Sequence, residues 1–176
     1  MKRQYVKAFR LFLALFIVFA LFSLAFAIHE TIPAETQVVM PGADSAQIYA
    51  YITKAKPYTQ WDVWPGKDKM YPGTQPHGDF LTTYVNDTGM FGIRKKTGNM
   101  PEGTIIAKEN YNSDKKFIAL SVMYKIKGYN AAASDWYWAK YDKDGKVLAS
   151  GRVEACIKCH EKKKDNDYTF TGELKK

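Results

Sequence analysis

The run Cys156-Ile157-Lys158-Cys159-His160, with sixteen residues after it, constrains this chain more than any other feature. Positions three apart on a helix share one face, so the two thiols project together with an imidazole beside them. Cys-x-x-Cys-His is the attachment pattern of a c-type haem. The thiols form thioethers to the porphyrin vinyls, and the histidine is the proximal ligand of the iron. A redox-active thiol pair of thioredoxin type wants a βαβ setting and has no use for the histidine that follows. A closed zinc site wants four nitrogen or sulfur ligands, and the chain has no second pair of cysteines. The sequence therefore predicts one covalently bound haem c, held by Cys156, Cys159 and His160, with the iron on His160.

Such a haem is attached outside the cytoplasm, and the amino terminus agrees. Lys2, Arg3, Lys7 and Arg10 precede the apolar run Leu11 to Ala27, which ends in Ala25-Phe26-Ala27. That is the layout of a secretory signal with a small-x-small cleavage site. Residues 1–27 are expected to be the signal peptide and residues 28–176 the haem domain, in the periplasm. The apolar run also stands at the lower length limit for a bilayer span, so an uncleaved anchor is the lesser alternative. The four signal cations account for half of the net charge of +8, leaving +4 on the remainder. That mild excess excludes a nucleic-acid binder, which needs a concentrated basic face. Both cysteines are used by the haem motif, and none is left for a disulfide.

Along the chain, residues 44–56 repeat apolar positions at three and four with Asp44 as a cap, predicting a helix that Pro57 ends. Pro65, Pro72 and Pro76 with Gly66, Gly73 and Gly78 make residues 61–79 a long irregular segment, and such segments are often functional. From Phe80 the β-branched and aromatic residues of 81–85, 104–111, 117–127, 136–141 and 147–150 predict strands. Asp144-Gly145 reads as a hairpin turn of type I′. A short helix is expected within 86–97, a turn over 98–103, and a helix over 152–164 capped by Ser150 and carrying the haem motif. The fold class is α+β, mainly an antiparallel sheet with a few helices and the c-type haem attached near the carboxyl end. With so little chain after His160, any second protein ligand comes from upstream. That excludes small helical cytochromes with an amino-terminal motif, and the strands contradict a four-helix bundle.

Several pieces in order resemble the cytochrome P460 family, which includes cytochrome P460 and cytochrome c′-β. They are Thr83-Tyr84-Val85-Asn86, Lys95-Lys96-Thr97-Gly98, Pro101-Glu102-Gly103-Thr104, Ala107-Lys108-Glu109, Asp135-Trp136-Tyr137-Trp138, Ala155 to His160, and Tyr168-Thr169-Phe170. The resemblance runs from about Leu81 onward, and the region before His77 matches poorly. It implies an antiparallel sheet fold, usually a homodimer, with a five-coordinate haem open on its distal side. Lys108 matches the lysine whose nitrogen is bonded to a porphyrin carbon in cytochrome P460, an enzyme that oxidises hydroxylamine. Cytochrome c′-β lacks that bond and binds gases such as nitric oxide.

Read from its strand alone, Lys108 shares a face with Thr104 and Ile106, while Ile105 and Ala107 point the other way. A charged lysine there is costly to bury; modification, deprotonation or a carboxylate partner relieves the cost, and snorkelling to the surface is the bland alternative. His77, in Pro76-His77-Gly78, is a candidate sixth ligand or distal proton donor, against the commoner loop histidine that only bonds its surroundings. His29 lies at the start of the exported chain. Met70, Met90, Met100 and Met123 are weaker axial candidates, more commonly core. Trp61, Trp64, Phe80, Phe91, Trp136 and Trp138 are candidate apolar walls. Lys158, Lys162, Lys163 and Lys164 either steer an acidic, soluble redox partner or form a solvated helix end. Three activities stay open on the sequence: oxidation of hydroxylamine, binding of nitric oxide without turnover, and plain electron transfer.

Overall fold

Backbone contacts divide the chain at Val38, and the computed structural model describes residues 38–175. The expected signal segment, residues 1–27, and His29 lie outside the described residues. Helix α1, Ser45–Ala50, continues as one wide turn over Tyr51–Ala55. As its spacing predicts, Asp44 caps it, accepting the Gln47 N–H at 2.8 Å. Two short strands follow in the irregular segment, β1 (Asp62–Val63) and β2 (Tyr71–Pro72). Both pair with β3 (Phe80–Val85). Helix α2 (Asp87–Lys95) is capped by Asn86. Then come β4 (Ile105–Tyr111), β5 (Phe117–Lys125), β6 (Trp136–Asp142) and β7 (Val147–Gly151). All pairings are antiparallel, in the order β1-β3-β4-β5-β6-β7 with β2 also on β3. The α+β architecture is thus the one the strand pattern predicts.

Two sequence expectations fail for local reasons. A type I′ turn needs left-handed backbone at both central residues, but of Asp144 and Gly145 only Gly145 has a positive φ, 84°. The Asp142 carboxylate accepts the N–H groups of Asp144 and Lys146, each at 2.9 Å, and closes a longer loop instead. Ser150 does not cap the haem-motif helix, because it is still paired with Ala139 in β7. That helix, α3, is Glu154–His160, and it tightens into a 3₁₀ segment over Glu161–Asn166.

The sheet is packed on both faces. Alternate residues, among them Tyr84, Ile105, Ala107, Val122, Tyr137 and Ala139, meet Ile48 and Ile52 of the first helical segment. The opposite face presents the row Val85, Ile106, Met123 and Trp138 to α2 and to the carboxyl-terminal segment. Val153, Cys156 and Ile157 pack against that second cluster, so the haem motif sits on the sheet face that carries Lys108.

The carboxyl-terminal segment is held by one buried charge pair. Lys125 on β5 donates to both carboxylate oxygens of Asp167, at 2.6 and 2.8 Å. Asp167 is 1 % exposed and also accepts the Met100 N–H at 2.7 Å. The Trp136 indole donates to its carbonyl at 2.9 Å. Removing one member of such a pair strands the other charge without water. Asp167→Ala should therefore lower unfolding stability by about 3–5 kcal/mol, read by urea titration. Asp144→Ala removes a solvent-exposed partner of Lys143 and should leave the urea midpoint nearly unchanged.

Candidate haem site

One cavity gathers the residues singled out by the sequence. Cys156, Cys159 and His160 of α3, Lys108 of β4 and His77 of the 73–78 loop line it together, with Ile106, Met123, Trp138 and Lys140. It encloses about 720 Å³ of empty space, its mouth included. A second cleft shares Pro76, His77, Lys108, Cys159 and His160 and adds Lys67, Tyr71, Lys162 and Phe170 among others. Neither cysteine is in a disulfide; Cys156 is half-buried and Cys159 exposed. Burial pushes the Cys156 thiol up, with nearby Lys140 opposing.

His160 is 6 % exposed, and its Nδ1 lies 2.7 Å from the Tyr168 carbonyl. A carbonyl oxygen only accepts, so Nδ1 carries the proton and Nε2 keeps its lone pair. This is how metal-binding histidines are oriented. Burial holds its pKa below the usual histidine value, against the opposing pull of the Tyr168 bond, so the ring is the neutral form that binds a metal. Trp138 and Phe170 fix it from the sides, with ring centres 4.7 and 5.2 Å away. The carbonyl reaches His160 because Asp167 and Tyr168 both adopt left-handed backbone, φ 51° and 62°. Non-glycine residues hold such angles only where their surroundings fix them. Here the Asp167 ion pair and a 3.1 Å bond from the Tyr168 hydroxyl to the Ala132 carbonyl do so.

Lys108 faces the cavity in a row that crosses the sheet, Thr83–Lys108–Ser121–Lys140. Its amine has no hydrogen bond or ion pair among the described residues. Burial lowers its pKa to about 8. Glu109 offers no relief, because it points to the opposite face and accepts from Tyr58 at 3.0 Å and Tyr111 at 2.5 Å. Of the routes that would ease a half-buried lysine, the carboxylate partner is absent among the described residues. Partial deprotonation is what the site provides.

His77 is half-buried, with Nδ1 3.4 Å from the Ser121 hydroxyl. Burial first, then the charges of Lys108 and Lys140 and the competing titration of His160, push its pKa down to about 3. It is a neutral imidazole rather than a cationic proton donor.

Other candidates divide. Met123 and Trp138 line the cavity, whereas Met90, Met100, Trp64 and Trp136 are core. Met70 and Phe91 are exposed, Trp61 packs on the far face, and Phe80 lies beneath Lys115. Lys158 pairs with Glu154 at 2.7 Å and Lys163 lies 3.8 Å from Glu173, while Lys162 reaches the second cleft. Sequence reasoning missed Ser121, Lys140 and Phe170. The first two become visible only through strand register, and Phe170 through the turn at Asp167.

Comparison with protein families matches residues 55–171 to cytochrome P460. The chain belongs to the cytochrome P460 family. The match starts upstream of Leu81 and takes in His77, so it extends further than the motif pieces alone suggest. No curated protein matches the chain. Membership in the cytochrome P460 family implies a haem that takes small ligands. The cavity fits that group: one apolar wall, two thiols, an imidazole with a free nitrogen, and a buried Trp138 indole N–H with no partner. Lys67, Lys108, Lys140 and Lys162 line the two clefts with no carboxylate, which suits a cofactor bearing carboxylates of its own.

While Lys108 is a free amine, its titration has a defined sign. The folded chain binds fewer protons than the unfolded one between pH about 8 and the ordinary lysine value near 10.4, so stability rises through that window. Below it, the buried charge is a cost. Lys108→Met should be more stable than the parent chain at pH 7, by on the order of 1–3 kcal/mol. Urea titrations should show the gap closing by pH 10; equal stabilities at pH 7 would contradict the assignment.

Proposed function

We propose that this cytochrome P460 family member is an exported monohaem cytochrome that carries out redox chemistry on small nitrogen compounds, hydroxylamine or nitric oxide. Cys156 and Cys159 hold the haem by thioethers, and His160 Nε2 binds the iron. The observation that carries the reading is the His160–Tyr168 bond at 2.7 Å. It leaves one imidazole nitrogen free in a cavity wall that also holds both thiols. The haem supplies a redox-active iron with a position for a small ligand.

The chain's own residues do the rest. Trp138, Phe170 and Met123 keep the proximal imidazole fixed and the wall apolar, which strengthens electrostatic effects inside. Lys108, with its lowered pKa, has an appreciable neutral fraction and is nucleophilic. That supplies the nucleophile for bonding its nitrogen to a porphyrin carbon, a step that gives up one N–H and one ring C–H as two protons and two electrons and so takes a two-electron oxidant of the peroxide class. A soluble acidic redox partner would meet Lys162 at the second cleft, and a homodimer fits the family. The leader of residues 1–27 accounts for export to the periplasm.

Nitric oxide binding without turnover is the second reading, and one observation favours it. Oxidation of hydroxylamine releases protons, and no carboxylate lines either cleft to accept them. Peptide mapping of the exported protein separates the two. If the peptide bearing Lys108 travels with the haem peptide and hydroxylamine reduces a soluble acceptor through the protein, the enzyme reading stands. Separate peptides and no hydroxylamine-dependent reduction, with tight nitric oxide binding, leave the binding protein.

A further inference from the structure

Both histidines of the cavity have a protein oxygen beside Nδ1. His160 gives its Nδ1 proton to the Tyr168 carbonyl. His77 has its Nδ1 against the Ser121 hydroxyl, which accepts the Asn110 amide N–H at 2.8 Å. In each ring Nδ1 meets a protein oxygen; the Ser121 hydroxyl both donates and accepts, so either His77 tautomer satisfies it, and the Asn110 side chain also hydrogen-bonds that ring. An outer partner on one ring nitrogen with the other left free, as in His160, is the signature of an oriented metal ligand.

Their spacing points the same way. The ring centres are 6.1 Å apart and the planes are nearly perpendicular, at 88°. Two imidazoles that hold one metal ion from opposite sides, each nitrogen about 2.0–2.1 Å from it, have ring centres roughly 6 Å apart. Among the described residues, no cluster of three or more histidines, cysteines or carboxylates could hold a bare ion. A porphyrin brings the four remaining nitrogens itself.

The loop that carries His77 is built for close approach. A Cβ on Gly78 would lie 2.5 Å from the Tyr111 carbonyl oxygen, and one on Gly73 would collide with the Gly78 carbonyl. Asp79 N–H donates to Tyr111 at 2.9 Å and Gly73 N–H to Asp79 at 2.8 Å. Residues 73–79 are thereby pressed onto the end of β4, with His77 at the cavity.

We infer that His77 is a second axial ligand of the haem iron, bound through Nε2 opposite His160 and displaced when a small nitrogen ligand binds. This rests on the haem reading above and departs from the open distal side that the family resemblance implies. The long 3.4 Å contact to Ser121 leaves His77 the weaker of the two ligands, so it is the one that yields. Ligand binding then waits on its release from the iron.

Absorption and electron paramagnetic resonance spectra of the ferric exported protein test it. The parent protein should be low-spin, and His77→Ala should turn it high-spin. His77→Met, which keeps a donor atom, should stay low-spin with shifted bands. Carbon monoxide should bind the ferrous parent at a rate that levels off with concentration. His77→Ala should bind it at least tenfold faster, with no plateau. A high-spin parent overturns the inference. So does an unchanged low-spin His77→Ala, or a low-spin state lost in Lys108→Ala instead. A colourless protein would sink the haem reading and this inference together, whereas a coloured, high-spin parent sinks this inference alone.

Discussion

The bond from His160 Nδ1 to the Tyr168 carbonyl organises this site. It selects the tautomer, aims Nε2 away from the protein, and ties the end of α3 to the carboxyl-terminal segment. A charge-neutral bond of this kind contributes only about 0.5–1.5 kcal/mol to stability, so its place has to be secured by stronger contacts. Those are the Lys125–Asp167 pair, the Trp136 bond to the Asp167 carbonyl, and the full burial of Leu174. Each starts from the sheet or its covering, and each ends within a few residues of Tyr168. The sheet therefore serves the site by fixing a turn that two left-handed residues would not hold alone.

The other side of the cavity is arranged at the expense of stability. Lys108 lacks a counter-ion among the described residues, and His77 is held neutral by burial and by the nearby Lys108 and Lys140. Such uncompensated groups are characteristic of functional sites, where perturbed ionisation accompanies chemistry. Their register explains how they meet: pairing of β4, β5 and β6 brings Lys108, Ser121 and Lys140 into one row, and the 73–78 loop adds His77 above it. A porphyrin, apolar in body and anionic at its edge, matches that division between an apolar wall and free cations.

Much of this was legible in the sequence, for reasons that differ by element. The haem motif is local, so three side chains within five residues announce themselves without a fold. The strands were legible because alternation of Ile105, Ala107 and Glu109 against Ile106 and Lys108 is a period-two pattern that survives packing on both faces. Asp44 was legible as a cap because its bond spans three residues. The turn after β6 was not, since the Asp142 carboxylate overrides the Asp-Gly preference. Ser150 misled because a strand residue and a cap residue share the same local chemistry, and only pairing with Ala139 decides. Ser121, Lys140 and Phe170 were invisible because cross-strand register and a left-handed turn at Asp167 place them.

The claim on which the account stands is covalent attachment at Cys156 and Cys159. Treating the denatured protein, purified from its natural source, with an alkylating reagent and weighing it intact tests this directly. The account predicts a chain heavier by one haem, with neither thiol alkylated. A chain of unmodified mass that takes up two alkyl groups would contradict it.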